Sequence, residues 1–524
     1  MHFLGFRKRS KAMIDSLSEV IDSNNSGAFE VRGPAGSGKT FTLIEAYKHL
    51  KNTGKIGRVI SFSNAAVGEL NNRLNVKPNG FIQTIHSFAW SWLKIVLNDV
   101  RKSDSFDFVP QAISKEKGAK TEFRDFSWQY GQFGTANIQK SKRIIWLSHD
   151  DVLDAFMSVA HSFSAFAELI GTTSDFIFID EYQDSNKQIA EFLRDVVSEY
   201  TLVIFFGDPL QNVYDELNGV GDINLSPGQI IKLPTNYRSD KNLLPLFNAL
   251  RKNFDGVVQQ PAEKVTDQGK LKVALRDGEL GHTSFGIPDD YYVLALTHNL
   301  RSKAVSDAEI VPLKKMVENA LNRKRIDWAE LMDTEKWPGE LKVIFFLASW
   351  IKGNKFSDIQ NGLTIFDIMN ESELGAALQA RENFDSLTGL DELLANLPLL
   401  SEIDKETIKN MLQDNKDNLG KFYKLYQDIP SINMKSQTIS GSKGLEFDNV
   451  ILEVDSGKWK QRMWNETDFD RDESLYSTMH FLFYVGATRA RQNLIIYVNT
   501  SDTGDFGKNL IEFLENQNVF FDLV

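Results

Sequence analysis

The chain has 524 residues, with 59 Lys+Arg against 71 Asp+Glu for a formal net charge of −12. Hydrophobic residues make up 42% and charged residues 25%, an ordinary globular balance that excludes a wholly disordered chain, a collagen and a coiled coil. Cysteine is absent, so no disulfide framework, thiolate metal site or cysteine nucleophile is open to it, and an acidic chain would meet nucleic acid in a local cleft rather than over its whole surface.

The first residues, MHFLGFRKRSKAMIDSL, lack the apolar run of a signal peptide. The longest apolar stretch, near 343–351, is shorter than the roughly 20 residues that span a bilayer. A cytoplasmic chain with no membrane segment is the expectation. Short β-rich apolar runs at 28–31, 58–62, 176–179, 202–206, 291–296, 450–454 and 494–498 alternate with helical stretches such as 41–50. That alternation predicts α/β architecture with buried parallel strands, in two groups and hence two cores. Two segments interrupt it. Residues 91–165 open with a helical stretch at 90–100 and turn polar and Gly-containing, which reads as an inserted subdomain or a long surface loop. Residues 311–430 read as a helical insertion. A third polar stretch, 255–290, reads as a hairpin or a loop between the cores.

Gly33-Pro34-Ala35-Gly36-Ser37-Gly38-Lys39-Thr40 follows the first strand and opens a helix, the context a phosphate-binding loop demands. Its glycines let successive backbone N–H groups face one anion, and the helix N-terminus adds its positive dipole end. Lys39 is placed to reach the β/γ-phosphates and Thr40 to ligate Mg²⁺. The run 175–179 leads into Asp180-Glu181-Tyr182-Gln183-Asp184. A buried strand ending in paired carboxylates suits such a site, with Asp180 on Mg²⁺ and Glu181 polarising the attacking water. The plainer alternative is an acidic first turn of the next helix, which the dipole favours anyway.

Further motifs follow in order. They are Ser61-Phe62-Ser63-Asn64-Ala65-Ala66, Thr84-Ile85-His86-Ser87-Phe88, Gly207-Asp208-Pro209-Leu210-Gln211-Asn212-Val213-Tyr214 and Asn236-Tyr237-Arg238-Ser239. Downstream come Thr438-Ile439-Ser440-Gly441-Ser442-Lys443-Gly444-Leu445-Glu446-Phe447 and Tyr484-Val485-Gly486-Ala487-Thr488-Arg489-Ala490. Together with the phosphate loop and Asp180–Asp184, this string resembles the superfamily 1 DNA helicases of the UvrD/Rep type over residues 28–498.

The resemblance implies two RecA-like domains, a first at 1–90 plus 166–245 and a second at 246–310 plus 431–524, with mainly helical insertions at 91–165 and 311–430. It implies ATP and Mg²⁺ as cofactors, with Gly33, Gly36, Ser37, Gly38, Lys39 and Thr40 holding the phosphates. Gln211 would sense the γ-phosphate, and Arg238 and Arg489 would act as arginine fingers. Tyr237 would stack on the adenine and Glu446 would hydrogen-bond the ribose. Asn64, His86, Tyr214 and Thr438 would touch single-stranded DNA. Motion along such DNA, or at a single-strand/duplex junction, would run 3′→5′.

Four departures from the family pattern stand out. No Gln precedes Gln83, where the family reads adenine with one upstream of the phosphate loop. Ala65 replaces a lysine, Glu216 falls in the stretch where an aromatic side chain stacks on a base, and Ser440 replaces a histidine. The ATPase motifs thus match more closely than the DNA track. That asymmetry supports a second expectation, a helicase-like ATPase subunit controlling a partner nuclease in anti-phage defence, as in Gabija-type systems, or in DNA repair.

Overall fold

The computed structural model describes residues 17–76, 80–100, 103, 106–114, 123, 125–130, 136–212, 219–277, 280, 288, 290–295, 436–454, 478–500 and 506–524. The expected helical insertion at 311–430, Tyr214, Glu216 and the end of the 291–296 strand lie outside them.

The first large sheet uses β1 (Gly27–Arg32), β2 (Gly57–Ser61) and β3 (Ile82–Thr84). A smaller sheet then follows, of β4 (Ser127–Tyr130), β5 (Asn137–Gln139) and β6 (Ile144–Leu147). The first sheet is completed by β7 (Phe176–Asp180), β8 (Leu202–Gly207) and β9 (Ile230–Lys232). Its order is β3-β2-β7-β8-β1-β9, every pair parallel. Helices α1 (Lys39–Asn52) and α2 (Asn64–Leu74) follow β1 and β2. α3 (Ile85–Val100) follows β3, and α4 (His149–Ser162), α5 (Ala165–Thr172) and α6 (Lys187–Asp195) flank β7.

A two-residue pair, β10 (Thr235–Asn236) with β11 (Gln260–Pro261), and helix α7 (Leu244–Arg251) lead to the second sheet. That sheet contains β12 (Leu271–Arg276), β13 (Tyr291–Ala295), β14 (Ser436–Thr438), β15 (Phe447–Val454), β16 (Ala490–Asn499) and β17 (Asp522–Leu523). It is ordered β14-β13-β15-β16-β12-β17 and is also fully parallel. Helices α8 (Thr478–Ala487) and α9 (Phe506–Asn516) belong with it.

These strands form because their apolar runs are buried on both faces, as parallel strands must be. On β15, Val450, Leu452 and Val454 enter one hydrophobic cluster with Leu494 and Ile496, while Ile451 joins Ala274, Ile495 and Tyr497 on the other face. In the first sheet Phe176, Phe178, Ile204 and Phe206 pack with Leu43 and Tyr47 of α1. The two parallel sheets are those of two RecA-like domains.

The structure adds two features to the expectations. The segment 255–290 contains β12, an interior strand of the second sheet between β16 and the edge strand β17, rather than only a loop. Its Lys and Arg residues hid it among polar neighbours. The first insertion carries the three-stranded sheet β4-β6-β5 beside its helices, so it is less purely helical than expected. Aromatic and β-branched pairs, Ile144-Ile145-Trp146 on β6 and Trp128 on β4, make those strands. The described residues fall into two compact units. The two large sheets lie within 1–93, 156–304 and 435–524, and the three-stranded sheet lies within 94–155. Among the described residues no helix is long and apolar enough to cross a membrane.

One buried base in the second core makes stability pH-dependent. His480 of α8 is buried, and its Nε2 donates to the Leu250 carbonyl at 2.7 Å. Burial lowers its pKa from 6.5 to about 4, although the bond to Leu250 opposes this. Between those values the unfolded chain binds a proton that the folded chain refuses, so stability rises with pH there. His480 therefore contributes stability above pH 6.5 that is lost as the pH falls toward 4. The urea midpoint should drop across this window, and His480→Gln should flatten that part of the profile.

Candidate nucleotide site

The site begins where β1 ends. Gly36 and Gly38 have φ of 78° and 84°, a left-handed backbone that costs glycine little. Gly36 also needs its missing side chain. A Cβ there would lie 2.7 Å from Arg238 Cβ and 2.8 Å from Asn236 Oδ1. The Tyr237 amide donates to Gly36 O at 2.8 Å, and Asn236 Nδ2 donates to Ala35 O at 3.1 Å. The Asn236–Ser239 motif is thus built directly onto the phosphate loop. Lys39 is buried at the start of α1, and its Nζ donates to Gly33 O at 2.9 Å.

β7 delivers the two carboxylates. Asp180 is its last residue, and Glu181 follows with φ 49°, ψ 46°, an uncommon conformation for a non-glycine residue of the kind that clusters at functional sites. Burial and the Glu181 charge push the Asp180 carboxyl upward, while Lys39 opposes them. Burial also raises Glu181, but Lys39, Lys443, a hydrogen bond from Gln183 and Arg489 outweigh it and hold Glu181 below its ordinary value. Glu181 is therefore an ionised acceptor, oriented by Gln183 Nε2 at 2.6 Å. Gln183 Oε1 in turn accepts the Asp208 amide at 3.1 Å. Gly207 allows this approach, because a Cβ there would stand 2.4 Å from Gln183 Oε1 and 2.5 Å from the Tyr182 ring.

The second sheet closes the other side. Arg489, at the end of α8, is buried. Its hydrogen-bond acceptors are neutral oxygens: Val485 O at 3.0 Å, Gln211 Oε1 at 3.1 Å and Leu445 O at 3.4 Å. Burial, then the Arg238 charge, lower its pKa to about 10, so it stays cationic at neutral pH with its charge available to an anion. Arg238 pairs with Glu446 at 2.6 Å. Lys443 donates to Asp184 and, at 2.6 Å, to Gln211 O. Burial raises Asp184 to about 6 even though Lys443 opposes the shift.

These groups surround a cleft of about 420 Å³. Gly36, Ser37, Gly38, Lys39, Thr40, Asp180, Glu181, Gln211, Tyr237, Arg238, Glu446 and Arg489 all line it. Gly33 lies beneath, holding Lys39. The lining sets five basic residues, Lys39, Arg73, Arg238, Arg489 and Arg491, against four carboxylates, Glu69, Asp180, Glu181 and Glu446. Ser37 Oγ and Asp180 Oδ1 are buried polar atoms with no protein partner, which fits a phosphate and a hydrated cation. Among the described residues no group of three or more His, Cys, Asp or Glu could hold a metal. A hydroxyl and one carboxylate, completed by phosphate oxygens and water, instead suit Mg²⁺.

Of the residues expected on DNA, Asn64, His86 and Thr438 do not line this cleft. Asn64 is exposed at the first turn of α2, and His86 is half-buried at the first turn of α3. Thr438 is buried, and its Oγ1 accepts the Gly441 amide at 3.0 Å, shaping its own turn. Tyr214 lies outside the described residues.

Sequence reasoning assigned no role to Lys443, Asp184, Glu69, Arg73 or Arg491. Lys443 and Asp184 stood inside recognised motifs, and the signal for them was opposite charge. Arg73 and Glu69 form an i,i+4 pair at 2.6 Å on α2, legible as helix spacing but indistinguishable from a surface pair.

Residues 18–216 match the AAA domain family, and residues 347–501 match the UvrD-like helicase C-terminal domain. The chain is similar to two proteins named Gabija protein GajB from Bacillus cereus. With that of strain HuB5-5 it shares 21% identity over 97% of each chain, and with that of strain VD045 22% over 96% of this chain and 99% of the relative. It is also 21% identical to the ATP-dependent DNA helicase PcrA of Bacillus subtilis strain 168, over 92% of this chain and 82% of that one.

Proposed function

Since the chain belongs to the UvrD/Rep-like superfamily 1 helicases and is an ATP hydrolase, we propose that it uses ATP bound in this cleft to move 3′→5′ along single-stranded DNA in the cytoplasm. The observation that carries the reading is the convergence of Lys39, Arg238, Gln211 and Arg489 from two sheets on one cleft. Glu181 accepts a hydrogen bond from the attacking water and orients it. Lys39, Arg238 and Arg489 neutralise the phosphoryl oxygens, the main catalytic need in phosphoryl transfer. Thr40 and Asp180 would hold Mg²⁺, which would supply further charge neutralisation. Tyr237 stacks on the base, and Glu446 leaves Arg238 for the ribose.

We assign 1–90 plus 166–245 and 246–310 plus 431–524 to the two RecA-like domains, with 91–165 and 311–430 as insertions. Closure of the two domains on ATP and reopening after hydrolysis would step Asn64, His86, Tyr214 and Thr438 along the strand.

Similarity to the GajB proteins over nearly the full length supports a second reading. So does the acidic Glu216 in the DNA motif. Here the nucleotide state of this ATPase controls a partner nuclease. Hydrolysis measured with and without single-stranded DNA, followed by unwinding of a 3′-tailed duplex, tests both. The first reading expects at least about tenfold stimulation and unwinding, since loose DNA-free geometry should tighten on binding. Hydrolysis that ignores DNA refutes translocation and favours the regulatory role.

A further inference from the structure

Arg251 is fully buried on α7, on the helix face that carries Leu244 and Phe247. Its guanidinium joins distant parts of the chain. Nη1 donates to the two Asp208 carboxylate oxygens at 3.0 and 3.1 Å and to the Tyr484 hydroxyl at 2.8 Å. Nε and Nη2 donate to Asp255. Asp208 also accepts the Leu210 amide at 3.3 Å and Gln211 Nε2 at 2.8 Å.

The last contact fixes an orientation. Both Asp208 oxygens already accept from the Arg251 guanidinium, so Gln211 offers the carboxylate its nitrogen. That turns Gln211 Oε1 to Arg489, whose Nη2 donates to it at 3.1 Å. The chain of donors and acceptors runs from Arg251 through Asp208 and Gln211 to Arg489. Burying a guanidinium is costly, and an apolar side chain of similar volume would fill the space without that cost. An apolar side chain would not orient Asp208.

We propose that Arg251 is a positioning residue for phosphoryl transfer, holding Asp208 so that the Gln211 amide keeps one orientation and Gln211 acts with Arg489 as one unit. This rests on the roles given to Gln211 and Arg489 under the proposed function. Arg251 does not line the cleft, so its effect must pass through Asp208.

The test is a set of double-mutant cycles on the full chain, reading kcat and KM for ATP with thermal melts beside them. Arg251→Lys keeps the charge but loses the fork. Asp208→Asn keeps the volume but can donate as well as accept, which frees Gln211 to flip. Each should lower kcat about tenfold or more with KM for ATP within about threefold, the pattern of a lost transition-state interaction. Added to Gln211→Ala, each should cost less than about a further twofold, because the unit is already broken. A merely structural role would lower the melting temperature and multiply the losses, and that result overturns the proposal. So does unchanged kcat in a folded Arg251→Lys or Asp208→Asn. Should Gln211→Ala alone retain normal turnover, the reading of the site falls instead, and the positioning role falls with it.

Discussion

Replacing Lys39 by alanine should abolish ATP turnover, lowering it by about 10³-fold or more in a protein that still folds. Removal of a single preorganised charge-stabilising group typically costs 10²–10³ in kcat, and Lys39 is the buried lysine proposed to meet the phosphates. Its ammonium is buried with Gly33 O as its acceptor, and it lies within the field of Asp180 and Glu181. Losing it also strands the two carboxylates, so nucleotide affinity should fall as well. The fold should survive, because the left-handed turns at Gly36 and Gly38 and the Asn236 contact to the loop do not involve the lysine side chain. Steady-state hydrolysis and a thermal melt of Lys39→Ala check both parts. Near-normal turnover would remove the cleft from the mechanism.

Arg489→Ala should lower kcat by about 10³–10⁵-fold, the range that an arginine finger contributes to phosphoryl transfer. Nucleotide affinity should change far less, because Lys39 and the loop amides remain. Two jobs are lost at once. The charge held ready by neutral acceptors disappears, and Gln211 Oε1 loses its donor. Arg489→Lys should rescue little, since an ammonium has no planar fork to hold Val485 O, Leu445 O and Gln211 together. Single-turnover hydrolysis beside equilibrium binding of an ATP analogue separates the two effects. Equal kcat in Arg489→Ala would refute the finger.

Legibility in the sequence followed burial. β7, β8, β15 and β16 are apolar on both faces, and their composition alone marks them. β3 (Ile82-Gln83-Thr84) and β14 (Ser436-Gln437-Thr438) are short and polar, so no periodicity betrays them. Glu30 lies within a run read as apolar. It is tolerated because Arg32 donates to it at 2.7 and 2.9 Å and the Tyr182 hydroxyl at 2.5 Å, while Arg32 also pairs with Asp222. The motif residues lining the cleft were legible because each sits in a short local pattern. Arg251 was not, because its partners Asp208 and Tyr484 lie 43 and 233 positions away. Only the packing of α7 brings them together.

Leu210 is encoded directly after a strand of the first sheet, yet its side chain belongs to the hydrophobic cluster of the second, with Leu243, Phe247 and Tyr484. The two halves are therefore not interchangeable modules. A recombinant fragment ending near residue 245 would expose Leu210 to solvent and strip Asp208 of its guanidinium, so it should be sticky in solution and inert as an ATPase. By the same logic, a chimera that exchanges the second half for a relative's would have to carry α7 and α8 as a matched pair with the Leu210 turn.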